Sequence, residues 1–286
     1  MTPSDRIKYI KEIGERLSRE NWDLIHLTLD QFGVKDLKSF SGTAPEYVIK
    51  RVQNADDKQL TELATHLDIG VAIPEPQIVP SFWKPQNLRL FISHISSSKM
   101  DAQSLKEKLD QYSICGFVAH SDIEPSKEWQ NEIEMAIRTA DVLVALITPD
   151  FHNSKWTDQE VGIAIGRDLV IIPVRIGSDP YGFIAKYQAI TFRDGDQTAV
   201  DIFESLLGNS NTRTQLSSCV LHRFETSRSF ADAKTNFALV SKIKLWDEGM
   251  LERLGNSVKN NSQISGCFGL PSRVNFLLSQ HTSTVD

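Results

Sequence analysis

"DVLVALITPDFHNSKWTDQEVGIAIGRDLVIIPV", residues 141–174, decides the architecture. It opens on DVLVALIT, a short apolar run without polar alternation and rich in strand formers. TDQEVGIAIGRD then reads as a helix, and LVIIPVRI as a second continuous apolar strand. Strands that are apolar at every position are buried on both faces, and two of them joined by a helix form a parallel crossover. The same alternation runs outward in both directions. Upstream stand the strand LRLFISH, a helix with Ala102, Leu105, Leu109 and Tyr112 on one face, the strand CGFVAH, and the helix KEWQNEIEMAIRTA with Trp129, Ile133, Ala136, Ile137 and Ala140 inward. Downstream, QAITF supplies a last strand and AVDIFESLL a closing helix ended by Gly208. The expected fold is α/β, a parallel sheet covered by helices on both faces, over residues 87–208.

The pattern changes on either side. Residues 1–72 carry four helical stripes: Ile7, Ile10, Ile13 and Leu17; Trp22, Ile25, Leu29 and Phe32; Tyr47, Val48 and Val52; Leu60, Leu63, Ala64 and Leu67. Thr43-Ala-Pro-Glu46 has the form of a capping box at the head of the third. A small helical bundle follows, with Trp22 expected in its core. "VAIPEPQIVPSFWKPQ" (71–86) holds four prolines in sixteen residues, which stop a helix and favour an extended connector, assigned to residues 73–86. Residues 209–286 return to helical stripes (Leu216, Val220, Phe224; Phe237, Val240, Ile243; Leu251, Leu254, Val258) and are assigned to a C-terminal all-α domain.

Composition narrows the function classes. A 286-residue chain that is 40% hydrophobic and 24% charged is an ordinary globular protein, large enough for several cores. A net charge of −6 makes nucleic acid an unlikely partner. Cys115, Cys219 and Cys267 share no metal-ligand spacing and read as buried free thiols of a reducing compartment. No apolar run is long enough to span a bilayer, and MTPSDRIKYIKE is not a signal peptide, so the expectation is a cytoplasmic protein with no membrane partner. GxGxxG after the first strand, GxxxxGK[ST], HExxH, paired CxxC and GxSxG are all missing. No resident cofactor and no metal site are expected.

In an open parallel sheet, ligands bind beyond the carboxyl ends of the strands, where strand order reverses. For a flavodoxin-like order that point lies between the first and third strands. Two loops meet there: SHISSSK (93–99), with Ser93 and His94, and TPDFHNSKW (148–156), which leads into Glu160.

These residues also carry a resemblance. "LRLFISHISSSKMDAQSLKEKL", "GFVAHSDIEPSKEWQNEIEMAI", the opening stretch and "SDPYGFIAKYQAI" resemble, in order, the motifs of a bacterial Toll/interleukin-receptor (TIR) domain across almost all of residues 88–197. The resemblance implies a flavodoxin-like parallel sheet of about five strands, and with it the activity of many such domains, which cleave NAD at the nicotinamide–ribose bond or convert it to a cyclic or otherwise modified ADP-ribose. NAD would be substrate rather than cofactor. By the same resemblance Glu160 of the Trp156…Glu160 pair is the catalytic glutamate, Phe91, Ser93 and His94 line the nucleotide site, and His120–Trp129 form the mobile BB loop. Ser126 stands where that loop often has glycine.

One carboxylate suffices for such chemistry. Nicotinamide leaves a cationic pyridinium as a neutral molecule, so no general acid is needed. The ribose gains positive charge, which a carboxylate stabilises electrostatically, and an aromatic face such as Trp156 can stack on the pyridinium. A second role for Glu160 stays open: Thr157-Asp-Gln-Glu160 is itself a capping-box pattern. His94 either binds phosphate or ribose or satisfies backbone groups at a strand end. Lys99 is a candidate for the pyrophosphate, and Asp122 for the nucleotide or a neighbouring subunit; both have a solvated alternative. The reading is an NAD-consuming signalling or anti-phage defence enzyme, switched on by self-association through the TIR domain and its helical flanks, with an activating protein or ligand as further partner. The alternative is a non-catalytic adaptor that only binds other TIR domains.

Overall fold

The structure, a computed structural model, describes residues 3–37, 39–67, 69, 79–119 and 129–282. Two compact units divide at residues 78 and 79.

The first unit contains α1 (Pro3–Leu17), α2 (Trp22–Gln31), α3 (Ala44–Val52) and α4 (Asp57–His66). Ile13, Leu17, Ile25, Leu29, Val48, Val52, Leu60 and Leu63 form its core, so the four stripes find one another. Glu46 accepts hydrogen bonds from both the backbone N–H and the hydroxyl of Thr43, at 2.9 and 3.0 Å. Two expectations need correction. Ile7 is exposed, and Tyr9 takes the inward position on α1 instead. Trp22 is 46% exposed. It is the first residue of α2, and its ring lies edge-on to Tyr47 at 5.3 Å and beside His26 at 6.1 Å. Arg51 is buried with its charge satisfied, its guanidinium donating to Asp30 at 2.7 Å and to the Tyr47 hydroxyl at 3.2 Å.

The second unit opens with the end of the proline-rich stretch, which packs instead of merely connecting. Trp83 is buried and donates from Nε1 to Thr139 Oγ1 at 2.7 Å, and Phe82 lies 4.8 Å from Phe117. The sheet then forms from β1 (Leu88–Ser93), β2 (Ile114–Phe117), β3 (Val142–Ile147), β4 (Val170–Arg175) and β5 (Ile190–Thr191). Its order is β2-β1-β3-β4-β5 and every pairing is parallel. Between the strands run α5 (Lys99–Leu109), α6 (Trp129–Thr139), α7 (Thr157–Gly166) and α8 (Gly195–Gly208).

Alternate strand residues serve opposite faces. Leu88, Leu90, Ile92, Val142, Val144 and Leu146 pack with α5 and α8. Phe91, Leu143, Ala145 and Ile147 pack with α6 and α7. Both faces are covered, which is why the strands lack polar alternation.

Five helices follow: α9 (Arg213–Glu225), α10 (Phe230–Val240), α11 (Glu248–Asn260), the single-turn α12 (Ser262–Ser265) and α13 (Leu270–Thr282). Their apolar faces merge with the α5/α8 side of the sheet into one hydrophobic cluster. Gly208 thus marks a change of sequence pattern, with packing continuous across it. Polar ties run the same way: Gln215 donates to Asp141 at 2.9 Å, beside the Arg89–Asp141 ion pair, and Arg223 donates to the Asp110 carbonyl at 3.1 Å. The three cysteines are free and buried, as expected. Among the described residues no helix is long and apolar enough to cross a membrane.

Candidate active site

The chain leaves β1 towards β2 on one side and returns to β3 on the other, so the loops after β1 and β3 part at the carboxyl edge. A cleft of about 530 Å³ opens there. One wall carries His94, Ile95, Ser96 and Ser97; the other carries Asp150, Asn153, Ser154, Trp156 and Glu160.

The second wall is held by Phe151, which is fully buried beneath the loop. Its carbonyl accepts from Thr157 Oγ1 at 2.6 Å, and its N–H donates to the Thr148 carbonyl at 3.1 Å. This anchoring bears on whether Glu160 caps α7. A capping box would need Thr157 as the cap, but α7 already begins at Thr157, preceded by Trp156 in helical geometry. The Thr157 hydroxyl is spent on Phe151, and the Glu160 N–H donates to the Trp156 carbonyl at 2.9 Å, inside the helix. Glu160 points inward instead, where its Oε2 accepts from Ser93 Oγ at 2.5 Å.

Glu160 is only 7% exposed. Burial pushes its carboxyl up from 4.5 to about 7, while the Ser93 hydroxyl, by stabilising the anion, pulls the other way. Near neutrality it is therefore poised between its two forms. Trp156, one turn earlier, is 39% exposed and is no core residue. Together Trp156 and Glu160 also border a second groove of about 430 Å³ between α6 and α7, with Glu134, Arg138 and Arg167 among its lining.

The other expected site residues are placed as follows. His94 lines the cleft, and its Nδ1 lies 3.1 Å from the Ile92 carbonyl, which as an acceptor calls for the proton on Nδ1. Ser93 is fully buried and lies behind the cleft wall, reaching it only through Glu160. Phe91 sits two residues deeper on the same strand face, fully buried and stacked on Phe117 at 5.6 Å, so it is floor rather than lining. Lys99 is exposed at the head of α5, away from the cleft lining. Asp122, the rest of residues 120–128 and the Trp129 side chain lie outside the described residues.

Asp150 and Asn153 were not singled out from the sequence, although the loop containing them was. They face the cleft, and Asn153 Nδ2 donates to Asp150 Oδ1 at 3.1 Å. The legible signal was a D-x-x-N turn at the end of a parallel strand.

With the fold and cleft in hand, residues 90–207 match the family model of the TIR domain, and this part of the chain is a TIR domain. A probable 2′ cyclic ADP-D-ribose synthase of Brachypodium distachyon is 26% identical over 87 residues, covering 30% of this chain and 39% of that protein. The chain thus aligns with well under half the length of that relative. A crystal structure of the TIR domain of a Toll-related receptor from Hydra magnipapillata is 22% identical, covers 44% of this chain and 98% of its own, and superposes with a TM-score of 0.34.

Proposed function

We propose that the TIR domain cleaves NAD at the nicotinamide–ribose bond, with Glu160 as the catalytic carboxylate. The observation that supports this reading is a buried, cleft-facing glutamate beside a half-exposed tryptophan in the crevice of the sheet. The name of the Brachypodium relative supports the substrate class. In the step proposed, the bond between ribose C1′ and the pyridinium nitrogen breaks and its electron pair leaves with neutral nicotinamide. The cationic sugar is stabilised by ionised Glu160. Water then captures C1′ and loses a proton to give ADP-ribose, or a hydroxyl of the same molecule does so and closes a ring. Incubation of the purified protein with NAD, followed by chromatography for free nicotinamide and by mass and connectivity of the product, tests the reading and tells the two fates apart. No nicotinamide under any assembly condition would leave the adaptor role.

Trp156→Ala is expected to lower kcat/KM for NAD about tenfold, the size of a desolvated cation–π contact, and Trp156→Phe much less. Both variants should melt with the parent, because the ring is not part of the core. Equal losses accompanied by a lower melting temperature would make Trp156 a packing residue.

The activity is further proposed to be switched by self-association in the cytoplasm, as suits a signalling or defence enzyme whose product drains a central cofactor. The TIR domain is threaded between helical flanks that can serve assembly or sensing of an activator. Specific activity should rise with protein concentration or with a crowding agent. Constant specific activity across a dilution series, from a species that light scattering shows to be monomeric throughout, would rule this out.

A further inference from the structure

The residue behind Glu160 has a function of its own. Ser93 ends β1 on the face that meets α7, and its side chain has no exposed surface and no place in the cleft lining. It cannot touch a substrate in the cleft without the structure rearranging. What it does touch is the carboxylate, donating from Oγ to Glu160 Oε2 at 2.5 Å. We infer that Ser93 is a positioning residue: its hydroxyl fixes the rotamer of Glu160, leaves Oε1 for the substrate, and holds the group in its ionised form.

A carboxylate removed from water tends to take up a proton, and a hydrogen bond donated to the anion opposes that tendency. The charged groups that share the site do not replace it. Among the described residues, the titratable groups are His94 and Asp150 in the cleft and Glu134, Arg138 and Arg167 in the groove between α6 and α7, with Glu132 buried on α6. Arg138 is paired with Glu134 at 2.8 Å, and Arg167 is turned to the carbonyl groups of Ile137 and Ala140 at the end of α6. Among the described residues, desolvation raises the Glu160 carboxyl and the Ser93 bond opposes that rise. A protonated Glu160 would offer the forming ribose cation no charge. On the proposed reaction, Ser93 therefore acts through ionisation and not through substrate contact.

The test, which rests on the NAD reading for only one of its arms, uses the full chain with Ser93→Ala and the near-isosteric weak donor Ser93→Cys. The kinetic arm follows kcat/KM for NAD against pH, which reports the free enzyme's groups. Ser93→Ala should move the acidic limb upward by about one unit, so that activity at pH 7 falls about fivefold and is largely regained at alkaline pH. The other arm needs no turnover. Infrared difference titration of each protein against its Glu160→Gln counterpart reads the protonation of Glu160 directly, and the same upward displacement is expected, with Ser93→Cys intermediate. Should Ser93→Ala not fold, Ser93→Cys against the parent carries both readings. A Glu160 titration unmoved by loss of the hydroxyl overturns the inference, whatever the NAD result. A displaced titration in a protein that never releases nicotinamide would uphold Ser93's effect on Glu160 and overturn the NAD reading alone.

Discussion

Glu160→Gln is expected to cut nicotinamide release by about a thousandfold and, above pH 7, to make the protein more stable than its parent. The loss follows from removing a preorganised charge aimed at a developing cation; deleting a single such group costs on this order. Glutamine keeps the size and can still accept from Ser93, so neither the cleft nor the helix is disturbed. The gain in stability follows from linkage. In the unfolded chain the carboxyl titrates near 4.5, whereas in the folded protein burial carries it to about 7. Between those values the folded state binds more protons than the unfolded state, so the parent loses stability as pH rises through that window. The displacement corresponds to about 3 kcal/mol, fully lost only above the folded value. Melting curves of parent and variant should nearly coincide at pH 4 and diverge in the variant's favour at pH 8. Near-normal turnover by the variant would reject the electrostatic role, and a variant less stable at pH 8 would show that the carboxylate is not buried at a cost. Catalytic groups that oppose the stability of their own fold are common where a site needs a charge out of water.

Phe224→Ala should destabilise the unit that holds the cleft by about 3–5 kcal/mol, roughly 10 °C in melting temperature. Phe224 lies on α9, outside the matched TIR segment, yet it is fully buried. It packs against Phe237, 5.6 Å between ring centres, in the cluster that also contains Leu90, Val144 and Phe203. A void there is shared by sheet and helices. The five C-terminal helices are therefore proposed to fold and unfold with the sheet, as one cooperative body. Hydrogen exchange followed by mass spectrometry would read it segment by segment: β1, β3, α9 and α10 should lose protection together in the variant. Strands that stay protected while α9–α13 exchange freely would mean that the C-terminal helices form a domain of their own.

Much of this protein is determined locally. Continuous apolar runs such as VLVALI dictate strands buried on both faces, and a helix between two of them dictates parallel pairing. Those rules place His94 and Trp156 in loops at strand ends and Glu160 just beyond one; that the loops after β1 and β3 border a crevice follows from the strand order β2-β1-β3-β4-β5, which pairing in the sheet decides. The tertiary structure decided what depends on which atoms come together from distant parts of the chain. Whether Glu160 caps its helix or faces a cleft turned on a single turn of register: Phe151, six residues before Thr157, claims the hydroxyl that the cap would have used. Ser93 and Glu160 are 67 residues apart, and no local pattern announces a bond between them. Phe91 and Ser93 share a strand face, but depth along that strand separates core from carboxylate partner. Trp22 reads as core by period alone, yet it stands at the first position of α2 and is 46% exposed. Helical stripes after Gly208 give no hint of what they cover, since an apolar face carries no address; only packing joins them to the sheet.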